Sequence, residues 1–258
     1  MNPFTQPEAI ANSNYSRYQG GRLLRSSTGA APTPLAAFVH DGIRALVLND
    51  QFVCVGGKSA FRQGSYGFGM YEELGSPATA AGLARDLFSF IEELPSFADS
   101  LTTYVAAFAG PHPPDEPAFE QRLWDTLQAL HDLDAPHHDW DPTVSDNPED
   151  PEFSFSFGGV AFFVIGMHAA SSRAARRFAW PTLIFNPHRQ FETLRESGDF
   201  PRFREVIRRG EMRLQGNVNP MLADFGNQSE AMQYSGRRVT SAWKCPFHAG
   251  AGDDSAKD

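Results

Sequence analysis

Cys54, Cys245 and eight histidines are the side chains of this 258-residue chain suited to nucleophilic, redox or metal-binding chemistry. Cys54 lies in Phe52-Val53-Cys54-Val55-Gly56-Gly57-Lys58-Ser59-Ala60, where an apolar stretch meets a glycine pair and a cation. Backbone N–H groups exposed by the glycines, together with the Lys58 ammonium, favour a thiolate at that point. The competing reading is a small buried residue before a turn. Gly56-Gly57-Lys58-Ser59 also approaches the end of a phosphate-binding loop, but position 52 is Phe where that loop needs its first glycine.

His188, in Asn186-Pro187-His188-Arg189-Gln190-Phe191, follows a predicted buried strand, at the carboxyl edge where ligands of α/β sheets collect. His168 holds a similar place after the apolar run Val160 to Gly166. The densest polar stretch is His131 to Asp141, three histidines and four aspartates in eleven residues. Imidazole and carboxylate suit zinc or iron, yet Pro136 breaks the helix and removes the i, i+4 spacing, which leaves a solvated helix terminus with His131 capping carbonyls as the alternative. Cys245-Pro246-Phe247-His248 reads as a haem-contacting dipeptide between aromatics or as a tail pinned to the surface by Trp243 and Phe247. Residues 215–238 are rich in Asn, Gln and Gly without helical period, the character of a binding loop. Within them Asp224 and Glu230 suit a cationic substrate, and Arg237 or Arg238 a carboxylate.

The elements that must position these residues follow from apolar spacing. Leu35, Phe38, Val39, Ile43, Leu46 and Val47 predict a helix after Pro34 that ends near Asn49. Two more are predicted over Pro77 to Leu94 and Pro117 to Leu133, with shorter ones near Arg189 to Glu196 and Phe200 to Arg209. Leu101 to Phe108 and Pro181 to Phe185 read as short strands, Phe153, Phe155 and Phe157 as a half-buried strand, and Val160 to Gly166 as a central strand buried on both faces. The expectation is α/β, with mixed α+β possible: a single compact domain over 33–248 whose central sheet is flanked by helices, preceded by a mobile arm (1–32) and followed by a disordered tail (249–258).

Composition narrows the function classes. The chain is 41% hydrophobic with 22 Phe and carries a net charge of −9, which opposes a phosphate-neutralising nucleic-acid interface. The longest nearly uncharged apolar run, Gly158 to Met167, is about half of the roughly 20 residues a bilayer helix requires. With no basic-then-apolar leader and only two cysteines, the reading is a cytoplasmic protein with free thiols and no membrane partner. The phenylalanines fit a bulky core or an apolar cavity for a flat ligand.

Seven segments carry a family resemblance: Cys-Val-Gly-Gly-Lys-Ser-Ala (54–60), Gly-Ser-Tyr-Gly-Phe-Gly-Met-Tyr (64–71), Phe-Ser-Phe-Ser-Phe-Gly-Gly (153–159), Ile-Phe-Asn-Pro-His-Arg-Gln-Phe (184–191), Gln-Gly-Asn-Val-Asn-Pro-Met-Leu (215–222), Gln-Tyr-Ser-Gly-Arg (233–237) and Cys-Pro-Phe-His (245–248). In this order, over about 35–248, the chain resembles the YqcI/YcgG family, and most closely its guanitoxin-pathway haem-dependent N-hydroxylases. Val53 stands where that branch usually carries proline, and Met232 where it carries arginine.

The resemblance implies haem b and an N-hydroxylase that oxygenates the nitrogen of a small guanidino or amino substrate, fed by an electron donor or by peroxide. It makes Cys54 the first candidate for the iron ligand, because thiolate donation favours O–O cleavage; its Cys-x-Gly context is also similar to the thiolate loop of nitric oxide synthases. His188 is the second candidate, with Cys245 and His131 behind it. Lys58 and Arg237 are the candidates for the propionates, and Asp224 and Glu230 for the substrate. The alternatives are a haem carrier or sensor without turnover, and a non-haem metallohydrolase built on the His131 to Asp141 cluster.

Overall fold

A computed structural model describes residues 1–97 and 100–250. Three of its helices begin in the same way, with a side-chain acceptor followed by proline. Thr33 caps α2 (Pro34–Leu48), Ser76 caps α4 (Pro77–Glu93) and Asp115 caps α5 (Glu116–Asp134), each accepting from the backbone N–H three residues on. An acceptor there satisfies an otherwise unpaired donor, and proline fits the first turn. The remaining helices are α1 (Pro7–Ala11), α3 (Val55–Gln63), α6 (Arg189–Glu196), α7 (Phe200–Gln215) and α8 (Ala231–Tyr234).

Seven strands form one sheet in the order β2-β1-β3-β4-β7-β6-β5. They are β1 (Ser16–Gln19), β2 (Arg22–Arg25), β3 (Tyr66–Glu73), β4 (Thr103–Gly110), β5 (Phe155–Phe157), β6 (Val160–Met167) and β7 (Thr182–Pro187). Only β3 and β4 run parallel, joined through α4; all other neighbours are antiparallel. The fold is mixed α/β. Side-chain alternation along β4 divides the interior into two cores: Tyr104, Ala106 and Phe108 pack with α4 and α5, while Val105 and Ala107 pack with α2 and Phe61 of α3.

Several expectations are corrected. Residues 1–32 supply α1 and the β1–β2 hairpin, and Phe4, Ala9 and Tyr15 are buried in the larger core, so this segment is part of the domain and not a free arm. Ser154 and Ser156 are buried along with the phenylalanines that alternate with them, because the 141 turn covers that face: the Asp141 amide donates to Ser156 Oγ at 2.9 Å. Strand β6 is next to the edge, and its Phe163 and Ile165 face a cavity. At the C-terminal end, Ala249 packs against the larger core, while residues 251–258 of the predicted tail lie outside the described residues. Among the described residues no helix is long and apolar enough to cross a membrane.

The docking of the N-terminal segment rests on Gly82 of α4, where a Cβ would overlap the Asn12 carbonyl. Backbone cannot yield as a flexible side chain does. Gly82→Ala is therefore expected to destabilise the protein by about 1–3 kcal/mol, read as a lowered thermal midpoint. A variant that melts with the wild type would mean that residues 1–15 do not rest on α4.

Candidate functional site

Cys54 is the N-cap of α3, and its Sγ accepts the Gly57 N–H at 3.3 Å. The glycine pair thus opens a helix instead of marking a loop, and the sulfur takes the place that a serine or aspartate oxygen usually fills. Burial pushes the thiol above its ordinary range, opposed by the Gly57 and Gly56 amides and by the charge of Lys58. The sulfur lines a cavity of about 220 Å³ on the α2–α3 side of the sheet, bounded by β6, β7, α3, α6, α7 and the irregular segment 217–230. Phe52, Phe61, Phe163, Phe191, Phe203 and Phe225 contribute to its walls.

Charged groups enter this apolar hollow at defined places. Glu230 lines it and is 5% exposed. Its Oε1 lies 3.6 Å from His188 Nε2, and Tyr234 Oη donates to its Oε2 at 3.5 Å, both long contacts. Asp224 also lines the cavity, paired with Arg204, and Arg195 beside it pairs with Glu192 and lies over the Phe200 ring. Three of the residues singled out in the sequence, Cys54, Asp224 and Glu230, therefore converge on one space. His188 stands directly behind Glu230, buried against Phe225 (ring centroids 4.5 Å apart), and does not itself line the wall.

Lys58 and Arg237 are elsewhere. Lys58 turns outward and donates from Nζ to the Asp50 carbonyl at 3.0 Å. Arg237 pairs with Glu120 of α5, which also accepts from Ser235 Oγ and Trp243 Nε1, on the far side of the sheet. Neither lines the cavity: Lys58 reaches it only through its charge on Cys54, and Arg237 is held by Glu120 across the sheet.

The histidine-rich segment is structural as well. His131 Nε2 meets the Ala249 carbonyl at 3.0 Å, His138 Nδ1 pairs with Asp134 at 2.7 Å, and Asp134 accepts the Gly158 amide. Among the described residues, no three His, Cys, Asp or Glu side chains are grouped to hold a metal ion. His168 is fully buried and stacks on Phe119 at 4.3 Å; burial holds its imidazole below the ordinary range, as for a neutral core residue. Burial raises the Cys245 thiol to about 12, while Phe247 is 0% exposed among Trp124, Trp140, Phe153 and Phe155. The C-terminal motif is thus a surface tail pinned by the buried Phe247 on the side opposite the cavity. Residues that the sequence reading gave no role, Arg173, Arg176 and Glu211, do line the cavity. The one signal for them was a run of arginines just after an apolar strand.

Comparison with known proteins adds a family. The family model described as YqcI/YcgG matches residues 43–248. The uncharacterized protein YqcI of Bacillus subtilis (strain 168) is 24% identical over 211 residues, 77% of this chain and 81% of that protein. No solved structure matches.

Proposed function

Because the chain belongs to the YqcI/YcgG family and encloses a cysteine-lined, phenylalanine-walled cavity, we propose that it is a haem-dependent N-hydroxylase of a small cationic guanidino or amino substrate. The observation that carries this reading is the setting of Cys54: a helix N-cap sulfur with two backbone N–H groups against it, open to an aromatic cavity. That donor set fits a haem iron. Metal ligation requires the thiolate, which burial opposes and the Gly57 and Gly56 amides and the Lys58 charge offset only in part, so the bond to iron would supply the rest. When bound, haem b supplies the activation of oxygen or peroxide that N-hydroxylation requires.

The remaining work falls to the chain's own residues. Phenylalanine walls exclude water and match the faces of a flat macrocycle. At about 220 Å³ the cavity is below the roughly 300–1,000 Å³ of common ligand sites, so a macrocycle would require it to widen. Glu230, almost buried and held only by long contacts, draws a cationic nitrogen into the cavity. His188 behind it is placed to accept or return a proton at Nε2. Asp224 is already committed to Arg204, which gives Glu230 the leading part in substrate recognition.

The test is an absorbance spectrum of the purified protein in ferric, reduced and carbon-monoxide-bound forms after reconstitution with hemin. A stoichiometric Soret band is expected, with the red-shifted reduced carbonyl band of thiolate ligation. A folded, colourless preparation that takes up no hemin overturns the proposal. Incubation with arginine-like amines, reductant and oxygen, or peroxide, should then give a product heavier by one oxygen atom; haem uptake without that product would identify a carrier or sensor.

A further inference from the structure

Arg173 and Arg176 both line the cavity and are only 7% and 8% exposed. Among the described residues, the one carboxylate within ion-pair range of either is Glu211, whose Oε1 lies 3.3 Å from Arg173 Nη2. Its other oxygen accepts the Asn219 amide at 2.7 Å. Arg173 is fixed further by Asn217, which accepts from Nη1 through its side chain and from Nη2 through its carbonyl. Arg176 is held through Nη1 alone, which donates to the Tyr234 carbonyl at 2.8 Å and to that of Gly166 at 3.4 Å. Its Nε and Nη2 have no partner among the described residues. Two guanidiniums thus share one ion-paired carboxylate, with Glu116 acting on Arg176 only from beyond ion-pair range, and the local excess is a single positive charge.

A buried cation without a matching anion is expensive, typically by several kcal/mol. The other arginines of the cavity do not carry that imbalance, since Arg204 pairs with Asp224 and Arg195 with Glu192. We infer that the Arg173–Arg176 end of the cavity is a subsite for a carboxylate. A planar, singly charged group matches both the unused fork of Arg176 and the unit excess, whereas a phosphate dianion would overcompensate it. Two sources offer that chemistry: a propionate of the macrocycle, or the carboxylate of a small zwitterion whose cation meets Glu230. The propionate source rests on the haem reading; the zwitterion source does not.

Two ligand pairs separate the sources on the full chain. Hemin and hemin dimethyl ester differ only in free carboxylates and are followed by absorbance; L-arginine and its decarboxylated counterpart agmatine are followed by calorimetry on haem-free protein. In at least one pair the carboxylate form is expected to bind the wild type roughly tenfold more tightly, the size of one charge-assisted contact. Arg176→Gln should remove most of that advantage without weakening the ester or the amine to the same degree. Arg176→Lys, which keeps the charge and loses the fork, should remove part of it. The wild-type comparison does not depend on whether a variant folds. Absence of a carboxylate preference in both pairs overturns the subsite, as does a preference untouched by Arg176→Gln. Failure of hemin to bind in either form overturns the haem reading, and the arginine pair then decides the subsite alone.

Discussion

Cys54→Ala is expected to abolish the red-shifted carbonyl band of the reduced, hemin-loaded protein while leaving a folded chain. The two effects differ in size because the sulfur does two separate things. As a cap it accepts one N–H at 3.3 Å, and loss of an N-cap costs on the order of 1 kcal/mol. As a ligand it would be the single protein atom joined to iron, so its loss removes the spectral signature entirely. Cys54→Ser separates the roles further, since a hydroxyl preserves the cap but not the soft donor. Both variants should melt within a few degrees of the wild type and lack the thiolate band. His188 supplies the counter-test. It is buried behind Glu230 and away from the cavity wall, so His188→Ala should keep the band. Retention of an unchanged spectrum in Cys54→Ala, with loss in His188→Ala, would transfer ligation to the imidazole.

The second large effect concerns stability against pH and lies on the other face of the sheet. Asp86 of α4 is buried where it accepts from the Ser13 hydroxyl, the Asn14 amide and the Tyr71 hydroxyl. Burial lifts its carboxyl from the ordinary 3.8 to about 6, even though those donors and Arg25 pull it down. The folded state therefore holds the proton more tightly than the unfolded chain. Its favourable contribution is complete below about 3.8 and is lost as pH rises through about 6. The full swing is on the order of 3 kcal/mol. Asp86→Asn cannot titrate, so the stability of the wild type relative to this variant should fall by most of that amount between pH 4 and 7 in denaturant titrations. A difference that stays flat over the interval would show that Asp86 ionises as freely as in the unfolded chain.

Much of the scaffold was legible because local rules agree with tertiary packing. Thr33-Pro34, Ser76-Pro77 and Asp115 to Pro117 announce three helices, and their apolar spacing names the buried stripe. Helix α3 was hidden by Gly56-Gly57, which lower helix propensity and read as a turn. Strand β3 was hidden in the same way by Gly67 and Gly69. These glycines leave room for the rings of Tyr15, Tyr71 and Tyr104, a tertiary need that local sequence does not reveal. For the candidate site, residue type and irregular context suffice to nominate Cys54, Asp224 and Glu230, which line one cavity. Arg237 is taken by a partner far along the chain, Glu120, 117 positions away, and Lys58 by the Asp50 carbonyl only eight positions back. Periodicity tells which face is buried, not which distant charge has already been satisfied.

The burial of Phe247 makes the last described turns of the chain a plug for the hydrophobic interior, not trailing peptide. A version shortened to residue 242 would leave Trp140, Phe153 and Phe155 with a ring-sized gap and water at its mouth. Filling that gap is worth about 3–5 kcal/mol, the usual cost of deleting a core phenylalanine. Purification handles and reporter fusions placed directly after Phe247 would pull against this stopper, although the cavity on the other side of the sheet would never touch them.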